Sequence, residues 1–266
     1  MALLEVIGGN ATAPSTTETI LTAYTGNSYN VRDFSEGRAY LVGMWADVQG
    51  AGIFKIRSAR MHDISQGFRV RTIASELDSF IAGGLYQELY SNDQLLVSLS
   101  GSGTAGDIEQ GYIQIMYDAI PGLSSLAMTA NQVNELGINI LTVECQIVAG
   151  TGGGWSGSQS FVANFDLIKA NKFYAVLGAT VSAEVGAVRL ISTDFGNLGV
   201  GVPGNIANWE FNRNYFINLA NSTKKACVPV FRGNNARSMT CDVGNDENAN
   251  SPVIAWHLVE LIGLGV

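Results

Sequence analysis

Tyr40 to Arg60 reads YLVGMWADVQGAGIFKIRSAR, and Tyr174 to Asp194 reads YAVLGATVSAEVGAVRLISTD. The two stretches align without a gap at an offset of 134 residues (174 − 40), about half of the 266-residue chain. Tyr40/Tyr174, Val42/Val176, Gly52/Gly186 and Ser58/Ser192 are identical, and Phe54/Val188, Lys55/Arg189 and Ile56/Leu190 are replacements of like kind. The match continues upstream at Asn30/Asn164 and, one residue out of step, downstream at Ile73-Ala74-Ser75 against Ile206-Ala207-Asn208. Solenoid units run to roughly 20–50 residues, so this period is too long for one. It predicts two tandem copies of one domain of about 130 residues, a size able to bury its own core.

Outward from that repeat, apolar and polar residues alternate at period two, the pattern of strands with one buried face. Phe54 and Ile56 alternate with Lys55 and Arg57, and Phe68 and Val70 with Arg69 and Arg71. Leu141, Val143, Cys145 and Ile147 alternate with Thr142, Glu144 and Gln146. Short segments of this kind, bounded by Gly, Asn, Asp and Ser turns, recur about eight times per half and predict an all-β chain of two eight-stranded jelly-roll sandwiches. Helical patterns are few: Ile73–Ile81 (IASELDSFI) and Ile206–Ala220 (IANWEFNRNYFINLA) stand at matching places as short inserts. The expected division is an N-terminal arm at 1–19, a first jelly roll at 20–150, a Gly-rich linker at 151–158 and a second jelly roll at 159–266. The linker reading rests on GTGGGWSG (Gly150–Gly157), with Trp155 folding back onto a domain face.

Composition narrows the function. Charged residues are 14%, and the net charge is −8 with a pI near 4.7. An acidic chain does not neutralise phosphates, which excludes sequence-specific nucleic-acid binding by the molecule as a whole. The start lacks Lys and Arg before Arg32 and carries Glu5 in its apolar run, unlike a secretory signal. Three cysteines are too few for a disulfide framework. They read as small buried hydrophobes, with a Cys227–Cys241 bridge as the alternative.

Catalytic patterns are missing: there is no GxSxG elbow, no HExxH and no Walker loop, and the two histidines, His62 and His257, read as solvated and as structurally satisfied. Gly101–Gly106 matches GxGxxG, but a strand-like segment follows it where a phosphate site needs a helix. Asp242, Asp246 and Glu247 lie close enough in sequence to offer oxygens to Ca²⁺, the one cofactor expectation; the plainer alternative is a solvated acidic loop. Five of the fifteen Lys and Arg (Lys55, Arg57, Arg60, Arg69 and Arg71) fall within 17 residues. If the two strands there pair, Lys55, Arg57, Arg69 and Arg71 share the outward face. That face is plain solvated surface, a contact for a neighbouring subunit, or a site for phosphate, lipid headgroups or a local nucleic-acid contact.

With its tandem β halves, paired helical inserts, arm-like start and absence of catalytic motifs, the chain resembles the double jelly-roll major capsid proteins of tailless, membrane-containing icosahedral double-stranded DNA viruses, at a length similar to corticovirus-like phages. The resemblance covers roughly residues 20 to 264 and carries no short diagnostic motif. It implies a non-enzymatic virion protein forming homotrimeric, pseudo-hexagonal capsomers, with lateral contacts to other capsid proteins and a face toward the internal viral membrane. Low charge suits a surface that must be buried against copies of itself. Other phage structural proteins (tail tube, spike or decoration) and a secreted carbohydrate-binding or adhesin module are the alternatives. The scatter of Trp45, Trp155, Trp209 and Trp256 over both halves weighs against the last.

Overall fold

Period-two segments become sheets only when each finds a partner strand, and here the pairing is antiparallel throughout. The computed structural model describes the chain except residues 1, 13–17, 26–27, 49, 62–64, 66, 73–77, 82–86, 101–107, 148–151, 157–158, 162–166, 246–250 and 265–266. The first half contains β1 (Leu3–Thr12), β2 (Thr19–Ile20), β3 (Thr22–Ala23), β4 (Tyr29–Asn30), β5 (Ala39–Asp47), β6 (Gly52–Arg57), β7 (Phe68–Thr72), β8 (Asp78–Ile81), β9 (Gln87–Leu89), β10 (Gln94–Ser100) and β11 (Ile108–Tyr117). The second contains β12 (Ala127–Met128), α1 (Ala130–Leu136), β13 (Gly137–Gln146), β14 (Gly154–Trp155), β15 (Gln159–Ser160), β16 (Phe173–Val181), β17 (Val185–Ile191), β18 (Gly199–Gly204), α2 (Trp209–Arg213), α3 (Tyr215–Thr223), β19 (Val228–Arg232), β20 (Thr240–Asn245) and β21 (Val253–Leu261).

Both halves have the same strand order. One sheet runs β1-β11-β5-β8/β9 in the first half and β13-β21-β16-β19 in the second. The facing sheet runs β2/β4-β10-β6-β7 and β14/β15-β20-β17-β18. Numbered by position along each half, these are the orders 1-8-3-6 and 2-7-4-5, the two interleaved Greek keys of a jelly roll, made twice. The second position is split into two short strands in both halves.

The internal repeat is therefore real, although its sequence register holds only in part. Lys55 faces Ser98, and Arg189 faces Asp242, at equivalent places in β6 and β17. Ser58 and Ser192 both cap the turn that follows, each accepting from the amide two residues on. In β5 and β16, however, each strand carries one extra residue against its neighbour: Val42 in β5 and Leu177 in β16, 135 residues apart (177 − 42). Aligned on these bulges, Tyr40 and Tyr174 are not equivalent. Tyr40 points out of its own sandwich into the second half's cluster, whereas Tyr174 points into its own, stacked on Phe231.

The division of the chain differs from the expected one. Residues 3–12 form a strand paired with β11 over ten positions, Leu3↔Tyr117 to Thr12↔Ile108, so the start is an integral strand of the first sheet instead of an arm. The reason is two-sided burial: Leu3 faces the first core while Leu4 and Val6 face the second half, and the intervening Glu5 is neutralised by Arg32. The crossing between halves lies at 118–126, and the second jelly roll begins with β12 and β13. The Gly-rich stretch belongs inside it, with Gly154↔Asn245 and Trp155↔Gly244 pairing at the second strand position.

Of the two helical inserts, the second is present as α2 and α3 between β18 and β19. For the first, residues 73–77 lie outside the described residues and Asp78–Ile81 is strand, paired with Ala46 to Gly43 of β5. Its apolar spacing fits either state over so short a window, and the open edge of β5 decides.

Candidate functional site

The most elaborate arrangement of side chains in the molecule is the seam between the jelly rolls. The outer face of the β1-β11-β5 sheet carries Val6, Trp45, Tyr112, Gln114 and Met116, all buried. It lies on the outer face of β17, β18 and β20, which is paved with small residues: Gly186, Ala187, Gly201 and Gly244. A Cβ at Gly186 or Gly244 would overlap the Tyr112 ring, and one at Gly201 would press on Val6, so each glycine is needed for close approach. Trp45 and Tyr112 stack at 5.7 Å with an interplanar angle of 14°, and Trp45 Nε1 donates to Gly186 O at 2.8 Å. Gln114 uses both ends of its amide: Nε2 donates to Gly201 O at 3.1 Å, and Oε1 accepts from Tyr215 of α3 at 2.6 Å. Coverage on both faces explains the nearly continuous burial of β5 and β11, in which even Glu109, Gln110 and Gln114 are buried.

At the rim of the seam Arg189 donates twice to Asp242 Oδ2, from Nε at 3.1 Å and Nη2 at 2.9 Å. Trp155 lies under the guanidinium at 3.9 Å and packs edge-on against Tyr24 and Tyr112. It does fold back from the Gly-rich stretch. Burial lowers the Arg189 pKa from its ordinary value, against the opposing pull of Asp242. Asp242 is buried, and its Oδ1 has no partner. Of the suggested Ca²⁺ ligands, Asp242 is thus committed to Arg189, while Asp246 and Glu247 lie outside the described residues. Among the described residues no three His, Cys, Asp or Glu come together as a metal site.

The basic strands pair as the alternation requires. Phe54↔Val70, Ile56↔Phe68 and Lys55↔Arg69 are in register, with Phe54 and Ile56 fully buried and Arg69 and Arg71 exposed. Lys55 opposite Arg69 is a like-charge pair, unfavourable by itself. The chain relieves it with Glu18, just before β2, which binds Lys55 at 2.7 Å and Arg57 at 2.9 Å and accepts from Ser98 at 2.8 Å. Burial pushes the Glu18 carboxyl up; the hydrogen bonds of Lys55 and Ser98 and the charges of Arg57 and Lys55 outweigh it and hold the group below its ordinary value. Nothing in the spacing of Glu18 to Lys55 signals this contact. The basic face is therefore partly neutralised at Lys55 and Arg57, with Arg69 and Arg71 at its exposed side.

His257 bridges three strands on the outer face of the second half, its Nδ1 3.2 Å from Thr142 Oγ1 and its Nε2 3.1 Å from Thr180 Oγ1. Burial and the charge of Arg213 lower its pKa. His62 lies outside the described residues. Cys145, Cys227 and Cys241 are all buried free thiols, and no Cys227–Cys241 bridge is formed. An open cleft of about 680 Å³ lies beside β1 and β4, lined among others by Glu5, Asn30, Arg32, Asp33 and Asn92. Its Glu5 is occupied: Arg32 donates to it at 2.6–3.0 Å and Tyr117 at 3.3 Å.

No protein-family model and no curated protein sequence matches the chain. Among solved structures, the major capsid protein P2 from bacteriophage PM2 aligns over 100% of both chains at 9% identity and a TM-score of 0.27. The PBSX exported protein XepA aligns over 98% of this chain and 86% of its own, at 10% identity and a TM-score of 0.30. A pilus protein of Bacillus endospore appendages covers 44% of this chain and 88% of its own, at 13% identity and a TM-score of 0.27. Scores of this size decide neither fold nor function, and the jelly-roll assignment rests on the strand order.

Proposed function

We propose that the chain is a structural subunit of a virion, a major capsid protein whose homotrimers form pseudo-hexagonal building blocks of an icosahedral shell. The observation that carries this reading is the welding of two jelly rolls of one strand order, side by side, through a seam of Trp45, Tyr112 and Gln114 on glycine. Such a seam spends the most specific side chains of the molecule on making a rigid double block. No arrangement of base, nucleophile and oxyanion donors competes with it among the described residues, and the reading is non-catalytic. In this reading the basic strand pair Lys55, Arg57, Arg69 and Arg71 serves a subunit contact or the lipid side of the shell.

The test is the mass of the purified protein by light scattering, with negative-stain images of the same sample. A trimer of roughly hexagonal outline, or closed shells, supports the proposal. A stable monomer at high concentration sinks it in favour of a binding module, and an open ring or fibre in favour of a tail or appendage component.

A further inference from the structure

Two of the chain's three thiols lie side by side in the interior of the second jelly roll. Cys145 in β13 and Cys241 in β20 come from its facing sheets, and both are buried in one apolar cluster. A chain of hydrogen bonds runs through them: Trp256 Nε1 donates to Cys241 Sγ at 3.5 Å, Cys241 donates its S–H to Cys145, and Cys145 Sγ donates to Ser160 O at 3.4 Å. The strands fix this placement. Trp256 stands opposite Val143, two residues along the inward face from Cys145, and Ser160 stands opposite Thr240, next to Cys241. Cys227 is elsewhere, with its Sγ 3.7 Å from Thr223 Oγ1 at the end of α3. We propose that Cys145 and Cys241 form an intrachain disulfide when the protein meets an oxidant of the small-molecule disulfide class, joining the two sheets of the second jelly roll. The cross-link lies within that jelly roll and is independent of what the chain assembles into.

Thiols already in hydrogen-bond contact have only to close to the S–S bond length of about 2.05 Å, and a buried bridge between facing sheets is a known way to staple a β-sandwich. The hydrogen bond from Cys241 lowers the Cys145 pKa against the opposing effect of burial, whereas burial raises that of Cys241. Cys145 is therefore the attacking sulfur. As a thiolate it displaces one sulfur of the oxidant R–S–S–R, giving a mixed disulfide and one R–S⁻, which takes up the proton Cys145 has lost. Cys241 then loses its own proton, attacks Cys145 Sγ and expels the second R–S⁻, which that proton neutralises. Two protein thiols are oxidised, the oxidant is reduced to two R–SH, and no other reactant is needed. Access comes from the edge of the sandwich: β13 is the terminal strand of its sheet among the described residues, and Cys145 is one residue from its end. Fraying of that end exposes the sulfur without unfolding the core. In a reducing cytosol the pair stays as thiols, and in oxidising surroundings it closes.

The experiment incubates the folded full chain with oxidised glutathione, quenches with acid, unfolds the protein and labels the remaining thiols with a maleimide, then reads the intact mass and the Cys-containing peptides. A single label on Cys227, a peptide joining Cys145 to Cys241 and, before labelling, a loss of about 2 Da for the two hydrogens are expected. The bridge spans 96 residues (241 − 145). The oxidised chain is expected to melt roughly 5–10 °C above the reduced one. Reductant should reverse both changes, Cys227→Ser should keep them, and Cys145→Ser should abolish them. Labels on all three cysteines after oxidation, a glutathione adduct that does not resolve, or a bridge that uses Cys227 overturns the assignment. The parent chain supplies these readings by itself, so they stand even where Cys145→Ser fails to fold.

Discussion

Asp242 shows how one residue can carry opposite meanings at two levels. In the sequence it opens an acidic run; in the fold it is the buried anion beneath Arg189. Removing one member of such a pair leaves an uncompensated charge, so Asp242→Asn is expected to cost about 3–5 kcal/mol, while the double change Arg189→Met/Asp242→Leu costs far less. Urea denaturation of the two variants beside the parent checks this, and equal losses in the single and double variants would refute it. Glu18 acts more weakly, because its side chain is a third exposed. Glu18→Gln is expected to lose about 0.5–1 kcal/mol, screened by salt. Since the folded protein holds Glu18 below its ordinary value, its contribution is present above the unfolded carboxyl range and disappears as pH falls through the folded value. The acid limb of the stability curve should accordingly be shallower in Glu18→Gln than in the parent between about pH 5 and 3.

At the scale of elements, the seam is where substitution should be felt most. Trp45→Phe keeps the ring against Tyr112 and loses the bond to Gly186, an expected cost of about 1–3 kcal/mol; Trp45→Ala also opens a cavity and is expected to cost about 3–5 kcal/mol. Gly244→Ala should be as damaging as a cavity, because the added methyl meets the Tyr112 ring, which packs against Trp45 and Trp155. A tolerated Gly244→Ala, measured by thermal melting, would show that the two sheets approach less closely than described. The strands themselves were legible: the alternations at 54–57, 68–71 and 141–147 are the observed in-and-out patterns. α1 was legible too, through Thr129 and Gln132, which form a reciprocal capping box. Asp78–Ile81 could not be read, since its state depends on the edge of β5 and not on its own residues.

For the whole molecule, the shared burial of Tyr40, Val42 and Met116 in the second half's cluster ties the two jelly rolls into one cooperative unit. Calorimetry should show one transition in the parent chain, splitting into two when Trp45 and Gln114 are both replaced by Ala; two transitions in the parent would mean that the seam contributes little. The sequence by itself determined that the chain is all β, that it is two copies of one pattern, and that one strand pair is basic on its outer side, because periodicity and self-similarity are local properties of residues. Only the tertiary structure decided where the copies divide, which tyrosine faces which core, and that residues 3–12 form a full-length strand of the first sheet. Those outcomes depend on which strand edge each segment finds and on what covers its second face. Both are set by partners more than a hundred residues away, such as Tyr117 for Leu3 and Gly186 for Trp45.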